Sequence, residues 1–151
     1  LQTYYDFFMK ILYLAADHAG WELKEALKPA LQKAGVTVRD LSPTFVAGDD
    51  YPAIGAELAK KVARSKISKG LLVCGSGVGM AIAANRVKGA RAVEGMTPRQ
   101  VALAREHNDV NILTVSGWNQ SAQEARALIK TFLDTKASAA ARHKRRVKQL
   151  G

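Results

Sequence analysis

The single cysteine, Cys74, stands between an apolar run, Leu71-Leu72-Val73, and a glycine-spaced segment, Gly75-Ser76-Gly77-Val78-Gly79, which leads into the small-residue stretch Met80 to Asn85. Glycine permits positive φ and lets another group approach the backbone closely. A helix that begins after such a turn points unpaired N–H groups outward at the positive end of its dipole, which suits an anion. A thiol held there is expected to have its pKa lowered toward thiolate. The stretch therefore offers a nucleophile or base beside a cradle for negative charge. Free cysteines are often small core residues, and glycines at this spacing also make tight turns. The position at a strand-to-helix join is what favours chemistry here.

Three further groups carry reactive or charged side chains. Asp17-His18 follows an apolar run, and an acid beside a histidine at a strand end is a candidate proton-transfer pair. His107-Asn108-Asp109 would serve equally well to end a helix. The last stretch holds Arg142, Lys144, Arg145, Arg146 and Lys148 with no acid among them, half of the chain's formal net charge of +10. On a helix Arg142 and Arg146 are four apart and share a face. Such density attracts phosphate, and arginine binds it in bidentate fashion. Charge runs are more usually solvated faces. Aromatic residues do not interleave with these cations, so stacking on single-stranded nucleic acid is not expected.

A rival reading of the glycine loop is a nucleotide-binding module. Gly75-x-Gly77 before a helix resembles the start of a dinucleotide fingerprint, and Glu94 ends the next strand nineteen residues later, where a ribose-binding acid would stand. The spacing, however, is GxGxG, and Met80 occupies the place of the third fingerprint glycine.

The elements that must hold these residues alternate. Lys10 to Ala16 reads as a buried strand. A helix follows with Leu23, Ala26, Leu27, Ala30, Leu31 and Ala34 on one face and Gly35 beyond its end; Pro29 should kink or shorten it. Val36 to Leu41 alternates as a strand, and Ser42 to Tyr51 is a loop. Pro52 opens a second helix, Gly70 to Cys74 is a third, continuously apolar strand, and a helix runs from the glycine turn toward Gly89. Ala90 to Glu94 is a fourth strand. Thr97-Pro98-Arg99-Gln100 has the form of a capping box for a helix to about Glu106, Val110 to Val115 makes a fifth strand, and Ser121 to Glu124 is a second capping box. The basic stretch, 138–151, is expected to be helical. Strands alternating with helices indicate an α/β fold: a doubly wound, Rossmann-like three-layer α/β/α sandwich with a mostly parallel five-stranded sheet plus a C-terminal helical tail. Ligands bind such sheets at the carboxyl ends of the strands.

A length of 151 residues suits one domain spanning the chain, with 48% hydrophobic and 24% charged residues. Met9 is a candidate natural start, which makes residues 1–9 a candidate N-terminal extension. No apolar run approaches a membrane span. One cysteine excludes an internal disulfide framework and fits a reducing cytosol, so the expectation is a cytoplasmic protein. One Cys with three separated His residues also argues against a Cys/His metal cluster.

Taken in order, Asp17-His18-Ala19-Gly20, Asp50-Tyr51-Pro52, Cys74-Gly75-Ser76-Gly77-Val78-Gly79, Ile82-Ala83-Ala84-Asn85, Gly89-x-Arg91-Ala92, His107-Asn108-Asp109-x-Asn111 and Arg142-His143-x-x-Arg146 resemble the type B ribose-5-phosphate isomerases, a family that includes the bacterial galactose-6-phosphate isomerase subunits. The resemblance spans Lys10 to about Leu150. It implies an aldose–ketose isomerase that works through a cis-enediolate with no metal or other cofactor. Cys74 matches the base, Ser76 the hydroxyl residue beside it, and the N–H groups of Gly75, Gly77, Val78 and Gly79 the pocket for the enediolate oxygen. His107 matches the residue that opens the furanose ring, with Asp17 nearby; Asn108 matches a substrate ligand; His18, Arg142 and Arg146 match phosphate contacts. The partners implied are a phosphorylated sugar and a second copy of the chain, in a homodimer or tetramer with sites at the subunit interface, the basic tail serving a neighbour's site. Some members use a Glu base where this chain has Met80. Many carry an Arg where this chain has Trp118 and an aromatic near position 99, so tetrose, pentose and hexose phosphates all remain open.

Overall fold

The structure, a computed structural model, describes residues 11–151; the readings on Met9, on residues 1–9 and on Lys10 lie outside the described residues. The elements are β1 (Ile11–Ala16), α1 (Trp21–Lys33), β2 (Thr37–Asp40), α2 (Tyr51–Ala63), β3 (Lys69–Cys74), α3 (Val78–Asn85), β4 (Ala92–Glu94), α4 (Pro98–Asn108), β5 (Ile112–Ser116), α5 (Ala122–Asp134) and α6 (Ala141–Gln149). The sheet order is β2-β1-β3-β5-β4 and every pairing is parallel, so the expectation of a mostly parallel sheet sharpens to an entirely parallel one.

Side chains of a strand alternate between faces, and here both faces are buried. Leu12, Leu14, Ala16, Leu71, Val73, Leu113 and Val115 meet Leu27 and Leu31 of α1 and Leu128, Ile129 and Phe132 of α5. On the other face Ala15, Leu72, Cys74 and Ile112 meet Leu58 and Val62 of α2 and Met80 and Ala84 of α3. Each large side chain so buried stabilises the fold by about 1.5–3 kcal/mol. The same alternation that sends Val73 to one layer sends Cys74 to the other, under α3.

Three local expectations change. Pro29 does not cut α1 short: it lies on the exposed side of the helix, while buried Leu27 and Leu31 hold the helix to Lys33. Only one of the two capping boxes is reciprocal. Ser121 and Glu124 exchange both hydrogen bonds, whereas Thr97 accepts from the Gln100 N–H but the Gln100 side chain turns to the Met96 N–H instead. Helix α4 runs on to Asn108 because Asp109 takes a left-handed conformation, φ 45°, between the guanidinium groups of Arg91 and Arg105.

The chain moves from β1 outward to β2 and then back across to β3, so the order reverses between β1 and β3. A crevice opens at such a reversal, at the carboxyl ends of the strands. Asp17 and Cys74 stand on either side of it, since Ala16 is in register with Val73.

Candidate active site

Cys74 is the last residue of β3 and is 4% exposed. Gly77, at φ 88°, turns the chain back so that its own N–H donates to the Cys74 Sγ at 3.0 Å. Ser76 Oγ accepts from the Val78 N–H at 3.2 Å. The carbonyls of this turn are tied back into the fold. Gly75 O accepts from Ser116 Oγ at 2.6 Å and from the Trp118 N–H at 3.0 Å, and Gly77 O from Thr114 Oγ1 at 2.8 Å. With its carbonyls held from below, the turn presents N–H groups on the side of the thiol.

The thiol itself departs from the expectation of a lowered pKa. Burial pushes it up, and the N–H groups of Met80, Gly77 and Ser76 pull it down without prevailing; Asp17 adds to the rise. The helix terminus is where the sequence places it, but the sulfur is enclosed by the sheet and α3, and desolvation disfavours the thiolate.

Asp17 is 5% exposed, accepts from the Gly20 N–H at 3.0 Å, and has its pKa raised, chiefly by burial. Gly20 cannot carry a side chain, because a Cβ there would overlap the Val73 carbonyl. That close approach sets the Asp17 turn against the end of β3. His18 is exposed; its Nδ1 lies 3.0 Å from Asp49 Oδ1, and its N–H donates to the same oxygen at 2.8 Å. The hydrogen bond that the His18 ring donates to the Asp49 carboxylate is the main cause of a raised His18 pKa. The loop bearing Asp49 is clamped at its start. Buried Lys24 bonds Asp40 at 2.8 Å and the Ser42 carbonyl at 2.6 Å, and Ser42 Oγ accepts from the Ala16 N–H at 2.9 Å.

Asp17, His18, Cys74, Ser76 and the glycine turn thus converge at one end of the sheet. His107, Asn108, Arg142 and Arg146 do not join them within one chain. Helix α4 returns from the carboxyl to the amino end of the sheet, so its last residues, His107 and Asn108, lie just before β5 begins. Gly70 is in register with Ile112 and Cys74 with Ser116; at roughly 3.3 Å per residue the two ends stand about 13 Å apart. The expectation that Asp17 lies near His107 is therefore corrected for a single chain. At the far end His107 stacks on His143, with ring centroids 4.4 Å apart and planes 5° from parallel. His143 is buried, and burial leads the causes of its lowered pKa, with His107, Arg142 and Arg146 adding to it. Arg142 and Arg146 are exposed on the outer face of α6.

Other motif residues prove to be scaffold. Asn85 pairs through both side-chain atoms with the backbone of Ala92. Asn111 receives the Arg91 N–H and donates to the Gly89 carbonyl, and Arg91 grips Asp109. These bonds hold β4 and the end of α4, not a ligand. Sequence reasoning missed Asp49, Thr114 and Ser116; nothing in an isolated loop or strand signals a partner thirty or more residues away. Tyr51 and Trp118 also frame the turn. A Cβ at Gly79 would come within 2.7 Å of the Tyr51 ring, and one at Gly75 within 2.5 Å of the Trp118 indole. The Trp118 indole thus packs on Gly75 and the Tyr51 ring on Gly79, so both sides of the turn are walled by an aromatic ring. A cavity of about 470 Å³ beside β4 and β5 is lined by Glu94, Met96, Thr97, Ser116 and Gln120 among others, and contains none of Asp17, His18 or Cys74. Among the described residues, no group of three or more His, Cys, Asp or Glu is placed to hold a metal, and no helix is long and apolar enough to cross a membrane.

An all-parallel doubly wound sheet with a thiol, a carboxyl group and a donor-lined turn at its switch point defines an α/β protein with a candidate ligand site at the carboxyl ends of its strands. Residues 12–150 match the Ribose/Galactose Isomerase family model, and the chain belongs to that family. It is 39% identical over 137 residues to ribose-5-phosphate isomerase B of Mycobacterium tuberculosis, covering 90% of this chain and 85% of that one. Against ribose-5-phosphate isomerase B of Escherichia coli the identity is 33% over 142 residues, covering 94% and 95%. Among solved structures, a ribose 5-phosphate isomerase of Thermotoga maritima superposes with a TM-score of 0.88 at 36% identity, covering 93% of this chain and 97% of that one. Ribose-5-phosphate isomerase B of Mycoplasma genitalium, crystallised with bound ribulose-5-phosphate, gives a TM-score of 0.86 at 35% identity, covering 94% and 95%.

Proposed function

We propose that this chain is a type B ribose-5-phosphate isomerase, interconverting ribose 5-phosphate and ribulose 5-phosphate in a site completed by a second copy of the chain. The observation that carries the reading is the Cys74 thiol held among backbone N–H groups at the switch point, in a chain whose relatives are ribose-5-phosphate isomerases. The ribulose-5-phosphate bound to the Mycoplasma relative supports the choice of substrate.

In this mechanism Cys74 Sγ, as thiolate, takes the proton from C2 of the open-chain aldose, and the electron pair of that bond flows toward O1. The N–H groups of Gly75, Gly77, Val78 and Gly79 stabilise the enediolate oxygen where its charge develops, those of Gly77 and Val78 turning to it from Cys74 Sγ and Ser76 Oγ. A proton passes from O2 to O1 with the Ser76 hydroxyl at hand, and Sγ returns its proton to C1, leaving the ketose. One group therefore serves as base and then acid. Because burial raises the Cys74 pKa, the thiolate that acts as base is the minor form at neutral pH, and the N–H groups around the sulfur are what favour it. His18, its charge supported by Asp49, binds phosphate from the same chain. His107 for ring opening, Asn108 for the sugar hydroxyls, and Arg142 and Arg146 for phosphate come from the partner, because in one chain they occupy the opposite end of the sheet.

The direct test adds ribose 5-phosphate to the purified protein and follows the formation of ribulose 5-phosphate. Conversion supports the reading. Failure to convert it, with turnover of a tetrose or hexose phosphate instead, would reassign the substrate, and no turnover of any aldose phosphate would overturn it.

The His18–Asp49 pair makes a pH prediction. Because Asp49 raises the His18 pKa, the imidazolium persists to higher pH, and phosphate affinity falls as pH rises through that raised value. Asp49→Asn is expected to move this loss to lower pH. NMR titration of the His18 ring, alongside the pH dependence of KM, measures it; an unchanged His18 titration would remove Asp49 from the phosphate site.

A further inference from the structure

Trp118 is 73% exposed, the most open of the large hydrophobic residues among those described. It is nevertheless held in place. Its N–H donates to the Gly75 carbonyl at 3.0 Å, and the Gly117 N–H before it donates to the Cys74 carbonyl at 2.8 Å. A Cβ at Gly117 would come within 2.6 Å of the Ala19 carbonyl, so the turn after β5 is pressed on the Asp17–Gly20 turn as well. The indole lies on Gly75, three of its ring atoms within 2.7 Å of where a Cβ there would stand. One side of the ring rests on the turn that carries the thiol and the rest of it is open.

The fold gives no reason for an indole at this place. The hydrogen bonds that fix the turn are made by backbone, by Ser116 and by Gln120, and none is made by the Trp118 side chain. Single exposed apolar residues are common on protein surfaces; Trp118 differs in being fixed on the turn that carries the thiol. Gly117, just before it, touches both the Cys74 carbonyl and the Asp17–Gly20 turn, the two groups a substrate must span. A sugar offers carbon-bound hydrogens along its chain, and those pack well on an aromatic face. Trp118 brings no cation; its one polar group is the indole N–H, and the rest of the ring is apolar.

We infer that the Trp118 indole is the wall against which the carbon chain between the reacting carbons and the phosphate lies, and that it selects the length of sugar phosphate accepted. The inference rests on the isomerase reading above. In this scheme phosphate is held at His18 and C2 at Cys74, a sugar longer by one carbon has to bow out of the line between them, and a ring fixed on Gly75 limits that bowing. Trp118 is a specificity residue in this scheme and takes no part in proton transfer.

The test compares wild type, Trp118→Phe and Trp118→Ala on ribose 5-phosphate and on a six-carbon aldose 6-phosphate, with calorimetric binding of inorganic phosphate as a separate reading. Trp118→Ala is expected to lower kcat/KM for ribose 5-phosphate about tenfold, mostly through KM, and to shift the five-carbon to six-carbon preference about tenfold toward the longer sugar, the scale of one methylene in a pocket. Trp118→Phe, which keeps an aromatic face, should recover most of the loss, and phosphate should bind all three proteins alike. An unchanged preference in Trp118→Ala, or an equal loss of affinity for phosphate alone, would overturn the inference while wild-type turnover leaves the isomerase reading standing. Absence of turnover on both sugars in wild type would instead bring down the isomerase reading, and this inference with it.

Discussion

Replacing Cys74 with alanine is expected to reduce the interconversion of ribose 5-phosphate and ribulose 5-phosphate by about 10³-fold, within the range contributed by a positioned general base. The fall should lie in kcat, since the thiol acts on C2 and not on the phosphate. Folding should survive. The side chain is small and 4% exposed, and alanine removes one sulfur atom and the bond it accepts from the Gly77 N–H, a loss of about 1 kcal/mol. Circular dichroism and thermal melting separate the two effects, and exchange of the C2 hydrogen with deuterated solvent reports proton abstraction directly. Near-normal turnover or exchange in the variant would exclude Cys74 as the base. The wild-type profile should show two opposed limbs. Activity rises with pH as the thiol ionises, and because burial raises its pKa this limb lies above the ordinary cysteine range. Substrate affinity falls with pH as His18 loses its proton. The first limb should vanish in the alanine variant and the second should remain in its phosphate binding.

Mixing two inactive variants is expected to restore activity. Cys74→Ala and His107→Ala should each be nearly inactive alone. In a two-fold symmetric dimer whose sites take Cys74 from one chain and His107 from the other, a mixed dimer carries one doubly damaged site and one intact site. Equal co-expression makes about half of the dimers mixed, so recovery should approach about a quarter of wild-type activity. Arg142→Ala combined with Arg146→Ala should complement Cys74→Ala in the same way, the recovered enzyme showing wild-type KM. Activity of the mixtures no greater than the sum of the parts would place the whole site within one chain, against the roughly 13 Å that the strand register puts between Cys74 and the end of α4.

The alternation of apolar strands and amphipathic helices is written locally, and so are the helix ends. The boundary at Ser121 depends only on a serine and a glutamate three residues apart, which is why that capping box is reciprocal as expected. Thr97 shows the limit of the same rule: its glutamine has a second donor, Met96, within reach and takes it. Pro29 shows the limit of another. It falls on the exposed side of a helix held by buried Leu27 and Leu31, and which side packs is a property of the fold.

The site divides along the same line. Each residue type and its chemistry was legible in the chain: a lone thiol before spaced glycines, an Asp-His pair after a strand, and a basic stretch with arginines four apart. These follow from side-chain chemistry and short-range geometry, which spacing encodes. Three things were decided by tertiary structure alone. The first is the direction of the Cys74 pKa: its helix terminus argues for thiolate, but burial between sheet and helix outweighs it, and burial is not a local quantity. The second is the support of the reactive groups by Asp49, Thr114 and Ser116, partners that only the fold brings within hydrogen-bond distance. The third is the division of the candidate residues between the two ends of the sheet. A parallel sheet requires each connecting helix to run back to the strands' starting edge, so residues at the end of α4 stand opposite residues at the end of β3, however their motifs read together in sequence.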